Sequence, residues 1–181
     1  MRIPLTCLAL AAVAAAQSGS PFLPIPNAHY PIERPRTRLG DFQAADLRGR
    51  VWRTAGLHGK VTLIDIWATS CGPCRADHPE LQRFYESIRG NPKLQVLTFS
   101  WDADLQRVAA YMAAKHYTFP VILGADPAKL FANDGIPQKW LVDPDGYLDR
   151  FRLSPIGQVI AAARRMAAGW PPDGSSARGP R

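Results

Sequence analysis

The run Val61-Thr62-Leu63-Ile64-Asp65-Ile66-Trp67, with Ala68-Thr69-Ser70 and then Cys71-Gly72-Pro73-Cys74-Arg75 behind it, decides how this chain is read. Val61 to Trp67 carries β-branched and aromatic side chains at both parities, the pattern of a strand buried on both faces. Arg75 to Tyr85 has helical patterning. A strand, a CxxC and a helix in that order place the first sulfur where helix N–H groups converge, so negative charge on it is stabilised. The second sulfur lies one turn later, near enough to close a small ring. Only two residues separate the cysteines, and so short a loop gains little from closure. The spacing fits a pair that reacts rather than one that braces.

Outward from this stretch the elements alternate. Asp46 to Trp52 predicts a turn at Gly49 leading into a strand, with order beginning near Leu39-Gly40-Asp41-Phe42. The helix from Gly72 to about Arg89 contains Pro79, which removes a hydrogen bond and bends the axis. Leu94 to Phe99 is a second buried strand. Asp104 to His116 repeats Leu105, Val108, Ala109 and Met112 at helical spacing. Phe119 to Leu123 is a short strand, and Asp126-Pro127 opens a short helix. Lys139–Val142 and Tyr147–Phe151 flank Asp143-Pro144-Asp145-Gly146 as a hairpin. Ile156 to Ala168 closes the domain. The order predicts an α/β fold with a mixed central sheet flanked by helices. Trp52, Phe84, Tyr85 and Phe99 are expected in its core.

The chain has 181 residues and 46% hydrophobic residues, enough for one domain with flanking segments. Met1 to Ala16 reads as a signal peptide: Arg2, an uncharged apolar run, then Ala14-Ala15-Ala16 as a cleavage site. Residues 17–38 are expected to be a Pro-rich linker, 39–168 the domain and 169–181 a disordered tail. Export implies a periplasmic or other extracytoplasmic location. Cys7 is expected to leave with the signal, and Cys71 and Cys74 are then the remaining cysteines of the three. The formal charge is +7, but the basic residues are scattered. The densest group, Arg34-Pro35-Arg36-Thr37-Arg38, has no interleaved aromatics, so nucleic acid is not an expected partner.

The stretch Trp67 to Arg75 resembles the thioredoxin superfamily, and more narrowly the TlpA/ResA-type extracytoplasmic thiol–disulfide oxidoreductases. Gly59-Lys60, Pro79, Phe119-Pro120-Val121 and Gly135-Ile136-Pro137 agree with it from about Leu39 to Met166. The resemblance implies a thioredoxin-like fold and a reductase of protein disulfides. It makes Cys71 the nucleophile, Cys74 the buried resolving thiol and Pro137 the cis-proline that offers backbone groups to a client. Asp65, six residues before Cys71, matches the buried aspartate of thioredoxin. Burial disfavours a charged carboxyl, so Asp65 is expected to take and return the Cys74 proton. Asp77 matches an acidic position that some ResA-type members use near the thiols. Trp67, Ser70, Gly72, Pro73 and Ile136 are expected to meet the client. Ser70 departs from the family's Trp before the first Cys, and Gln138 departs from its Thr or Glu after the proline. Clients are then disulfide-containing proteins, and a membrane electron donor restores the dithiol. The protein is expected to act as a monomer and to need no cofactor.

Rival chemistries lack their residues. His29, His58, His78 and His116 show no ligand spacing and read as surface or turn residues, so no metal site is expected. Haem attachment needs His after the second Cys, where Arg75 stands. A peroxiredoxin-like thiol peroxidase wants Thr three residues before its Cys, and position 68 is Ala. A non-enzymatic binding domain on the same fold has no need of an intact CGPC.

Overall fold

The computed structural model describes residues 37–123, 127–131 and 135–170. The expected signal peptide, almost all of the expected linker and most of the expected tail lie outside the described residues. So does His29.

Strand β3 (Val61–Trp67) is buried at all seven positions, as its apolar composition demands. It pairs in parallel with β4 (Leu94–Ser100), and antiparallel with β6 (Gln138–Val142). Strand β5 (Val121–Ile122) extends the sheet beyond β4, and β7 (Leu148–Arg152) extends it beyond β6. The order is β5-β4-β3-β6-β7. Helices α1 (Gly72–Ser87) and α2 (Leu105–Ala114) make the two parallel crossovers. Asp104 caps α2 through its carboxylate, which accepts from the Gln106 and Arg107 N–H groups.

Alternation along β3 divides the core. Val61, Leu63 and Trp67 face α1, α2 and α4 (Ile156–Gly169), among Phe84, Val108, Met112, Val159 and Ala163. Ile64 and Ile66 face the other way, toward Leu39, Trp52, Leu57, Phe99 and Phe131. That second layer comes from the N-terminal segment, with the single-turn α3 (Pro127–Leu130) adding Leu130. The segment holds a small separate sheet of β1 (Gln43–Ala45) and β2 (Val51–Arg53). Asp46 locks its turn by accepting from the N–H groups of Arg48 and Arg50 and from the Trp52 indole. Trp52, Phe84 and Phe99 are core residues, whereas Tyr85 is half-buried at the edge.

The β6–β7 hairpin turns at Asp143–Gly146. Asp143 accepts from the Asp145 and Tyr147 N–H groups, and Gly146 takes φ +88°. That conformation costs a non-glycine residue 1–2 kcal/mol by a general estimate of about that size.

Candidate functional site

Cys71 and Cys74 form a disulfide with Cα atoms 5.3 Å apart. Cys71 is the N-cap of α1, and its sulfur accepts from the Cys74 N–H at 3.2 Å. Pro73 in the first turn fits a position whose N–H has no helical partner. Cys71 is half-buried and Cys74 fully buried. One sulfur is therefore open to an incoming group while the other is shielded by the helix.

The loop before the disulfide is tethered from β4. Asp102 accepts from the Thr69 N–H at 2.7 Å, from the Thr69 hydroxyl at 2.6 Å and from Ser100 at 2.8 Å. Burial opposes ionisation of Asp102, but these bonds and the Arg107 charge outweigh it and hold the carboxyl below its ordinary value. Ser70, Gly72 and Pro73 are exposed beside the disulfide. The Ile136–Pro137 bond is cis, with Ile136 half-buried and Pro137 buried just before β6.

Trp67 does not lie on this surface. It is completely buried, its indole N–H bonded to Thr98 Oγ1 at 3.1 Å. The expectation that it meets a client is corrected: at the end of β3 its parity points it under α1, where a client chain has no access.

Asp65 shares that parity and is 1% exposed; neither carboxylate oxygen has a hydrogen-bond partner. Its register partner on β6 is Lys139, so both side chains lie on the α1 face. Lys139 is itself buried and places Nζ 2.7 Å from Asp77 Oδ2. Asp77 is thus bound into an ion pair with the sheet.

His78 contradicts its expectation as a surface or turn residue. It is fully buried, four residues after Cys74 on the inner face of α1. Its Nε2 lies 3.7 Å from Asp65 Oδ2, and Nδ1 lies 2.9 Å from the Tyr111 hydroxyl. The rings of Trp67, Tyr117 and Phe119 surround it. Its i+4 spacing from a buried cysteine was the signal in the sequence. Lys139 carried no such local signal. His58 and His116 are exposed. Among the described residues no group of three or more His, Cys, Asp or Glu could hold a metal ion.

A five-stranded mixed sheet with a CxxC disulfide capping the helix after its central strand defines the class: a thioredoxin-like fold with a redox-active site. Residues 24–139 match the Redoxin family, and the chain belongs to that family. It is similar to thiol:disulfide interchange protein DsbE of Allochromatium vinosum, 30% identical over 111 residues that cover 59% of this chain and 58% of that one. It is also similar to thiol-disulfide oxidoreductase ResA of Bacillus subtilis, 25% identical over 59% of this chain and 60% of the relative. The matched region thus spans about three fifths of these relatives' length. A putative protein disulfide isomerase from Bacteroides thetaiotaomicron shares the fold, with TM-score 0.65 and 23% identity over 76% of this chain and 92% of that one.

Proposed function

We propose that the protein is a thiol–disulfide oxidoreductase that reduces disulfides of client proteins outside the cytoplasm. The observation that carries this is the sulfur pair itself: a half-buried Cys71 at the α1 N-terminus joined to a buried Cys74. Relatives named for thiol–disulfide interchange support the same chemistry.

In the dithiol form the helix N-terminus and the Cys74 N–H favour Cys71 as thiolate. Its sulfur attacks a client disulfide and displaces one client thiolate. Cys74 then attacks Cys71, releasing the second client sulfur and forming the Cys71–Cys74 bond. Two electrons pass from the cysteine pair to the client. Asp65, buried on the α1 face, is the group that takes the Cys74 proton. Ser70, Gly72, Pro73 and Ile136 form the client-facing rim, with Pro137 presenting its backbone to the bound chain.

No described helix is long and apolar enough to cross a membrane. Residues 1–16 are proposed to direct export, 17–38 to tether the domain of residues 39–168, and 169–181 to trail it. A donor at the membrane returns electrons to the disulfide. The protein acts as a monomer.

The test is trapping. Cys74→Ser accumulates mixed disulfides with a disulfide-containing protein such as insulin, whereas Cys71→Ser forms none. Absence of any adduct with Cys74→Ser, together with no insulin reduction by the unaltered chain, refutes the proposal.

A further inference from the structure

Resting on that reading, we infer that Asp65, His78 and Tyr111 form a relay that carries the Cys74 proton between the buried site and the half-exposed edge of α2.

Cys74 and His78 stand four residues apart on α1, so they share one helix face, and both are fully buried. Asp65 lies beneath that face by strand parity. Asp65 Oδ1 and Oδ2 and His78 Nε2 are all buried without a hydrogen-bond partner. Buried polar atoms without partners are rare and costly. Here they face one another across 3.7 Å, about half an ångström beyond a hydrogen bond. A small side-chain movement closes that gap.

The far side of the imidazole is already connected. Nδ1 lies 2.9 Å from the Tyr111 hydroxyl. Tyr111 and Tyr117 share a side-chain hydrogen bond, with ring centroids 5.9 Å apart. The His78–Tyr111 bond forms in either tautomer; with the proton on Nδ1, as the relay requires before the disulfide forms, the Tyr111 oxygen accepts and the Nε2 lone pair faces Asp65. In that tautomer a carboxyl proton on Asp65 has an acceptor 3.7 Å away. Tyr111 and Tyr117 are both half-buried, so the chain ends at the surface.

The relay is surrounded by β6, α1, α2 with the segment after it, and α4, of which β6 and α1 bring the charges. Lys139 on β6 sits opposite Asp65 and is paired with Asp77 on α1. Arg75 on α1 acts on Tyr111. Tyr111 and Tyr117 belong to α2 and the segment after it. From α4 the buried side chains are apolar, with Ile156, Val159 and Ala163 among them.

The step balances as follows. Cys74 S–H gives its proton to the Asp65 carboxylate as its sulfur bonds to Cys71. The Cys71–client bond breaks, and the client sulfur leaves with the electron pair and takes a proton from water. Asp65 O–H passes its proton to His78 Nε2. His78 Nδ1–H goes to the Tyr111 oxygen, and the former Tyr111 hydroxyl proton leaves by way of Tyr117. One proton enters water for the one withdrawn. His78 is left as the other tautomer. When the disulfide is reduced again, the chain runs inward and resets it. His78 touches no reacting atom; it is a positioning residue acting through Asp65.

The test uses the full chain with His78→Phe and Tyr111→Phe. Release of client from a preformed Cys71 mixed disulfide is followed against pH, beside alkylation of Cys71 in the dithiol form. Expected in His78→Phe is release at least about tenfold slower near neutral pH, a smaller loss than the roughly hundredfold or more for a group that itself transfers the proton at the reacting atom, with a changed pH profile. Alkylation of Cys71 changes far less, and Tyr111→Phe has an intermediate effect. In the unaltered chain the 15N shifts of His78 report opposite tautomers in the disulfide and dithiol forms. Release profiles that superimpose for both variants, or a single His78 tautomer in both redox forms, overturn the relay and leave the exchange reading intact. If His78→Phe does not fold, Tyr111→Phe and the 15N shifts decide. No exchange at all by the unaltered chain overturns both.

Discussion

Separating Lys139 from Asp77 has unequal consequences depending on which partner is removed. Lys139 is 1% exposed, whereas the Asp77 side chain is 20% exposed, and their charged atoms are 2.7 Å apart. Asp77→Asn strands an ammonium in the interior with its carboxylate gone. Breaking a buried pair costs 3–5 kcal/mol in general, and a lysine can shed its proton, so the expected loss is about 3 kcal/mol. Lys139→Met keeps similar volume with no charge to solvate, while Asp77 turns toward water. Its expected cost is about 1 kcal/mol. The double variant should match Lys139→Met and be more stable than Asp77→Asn alone by about 2 kcal/mol, a coupling of about 3 kcal/mol between the two sites. Urea denaturation of the disulfide form measures all four proteins, with equal m values as the check on two-state behaviour. Lys139→Met as the more damaging single change, or two costs that simply add, would refute this asymmetry.

Other substitutions probe the scaffold. Asp102→Asn removes an acceptor from the Thr69–Ser100 tether and should cost about 1–2 kcal/mol, read by urea denaturation. Because the Asp102 carboxyl is held below its ordinary value, its contribution is complete above the usual carboxylate range and lost as pH falls through the lower folded value. The unaltered protein should therefore lose more stability in acid than Asp102→Asn does; parallel pH–stability curves refute that. Gly146→Ala should destabilise by roughly 1–2 kcal/mol, since φ is +88° and the new Cβ meets His58 Nε2 at 3.4 Å. Gly157→Ala is the contrast, read by melting temperature. Its Cβ meets only the Glu80 carboxylate, at 2.9 Å, at the end of a flexible side chain. Alanine's helix preference of about 1 kcal/mol should offset the shift, leaving stability equal or higher.

The α/β order was legible because its signals are local. Period-two and helical patterns, Gly turns and the proline positions mark element ends within a few residues of sequence. The structure trims them modestly: α1 stops at Ser87 and the strand expected over Phe119–Leu123 pairs only at Val121–Ile122. Covering of the second sheet face was less legible. Much of it comes from β1, β2 and the turn after them, whose short segments carry weak patterns and take their place from Asp46 and Trp52.

The site divides in the same way. Cys71 and Cys74 are three positions apart, so a strand–loop–helix context alone brings their sulfurs together and suits them to exchange. The surroundings of Asp65 were settled by contacts distant in sequence. Lys139 reaches its place through the β3–β6 register, and Tyr111 through the packing of α2 on α1. A one-residue slip in that register turns Lys139 to the opposite face, and a rotated α2 leaves His78 Nδ1 without its hydroxyl. The chain alone determined which two sulfurs come together; folding in three dimensions decided which groups stand beside the buried one, because strand register and helix packing are set by the whole core and not by neighbours in sequence.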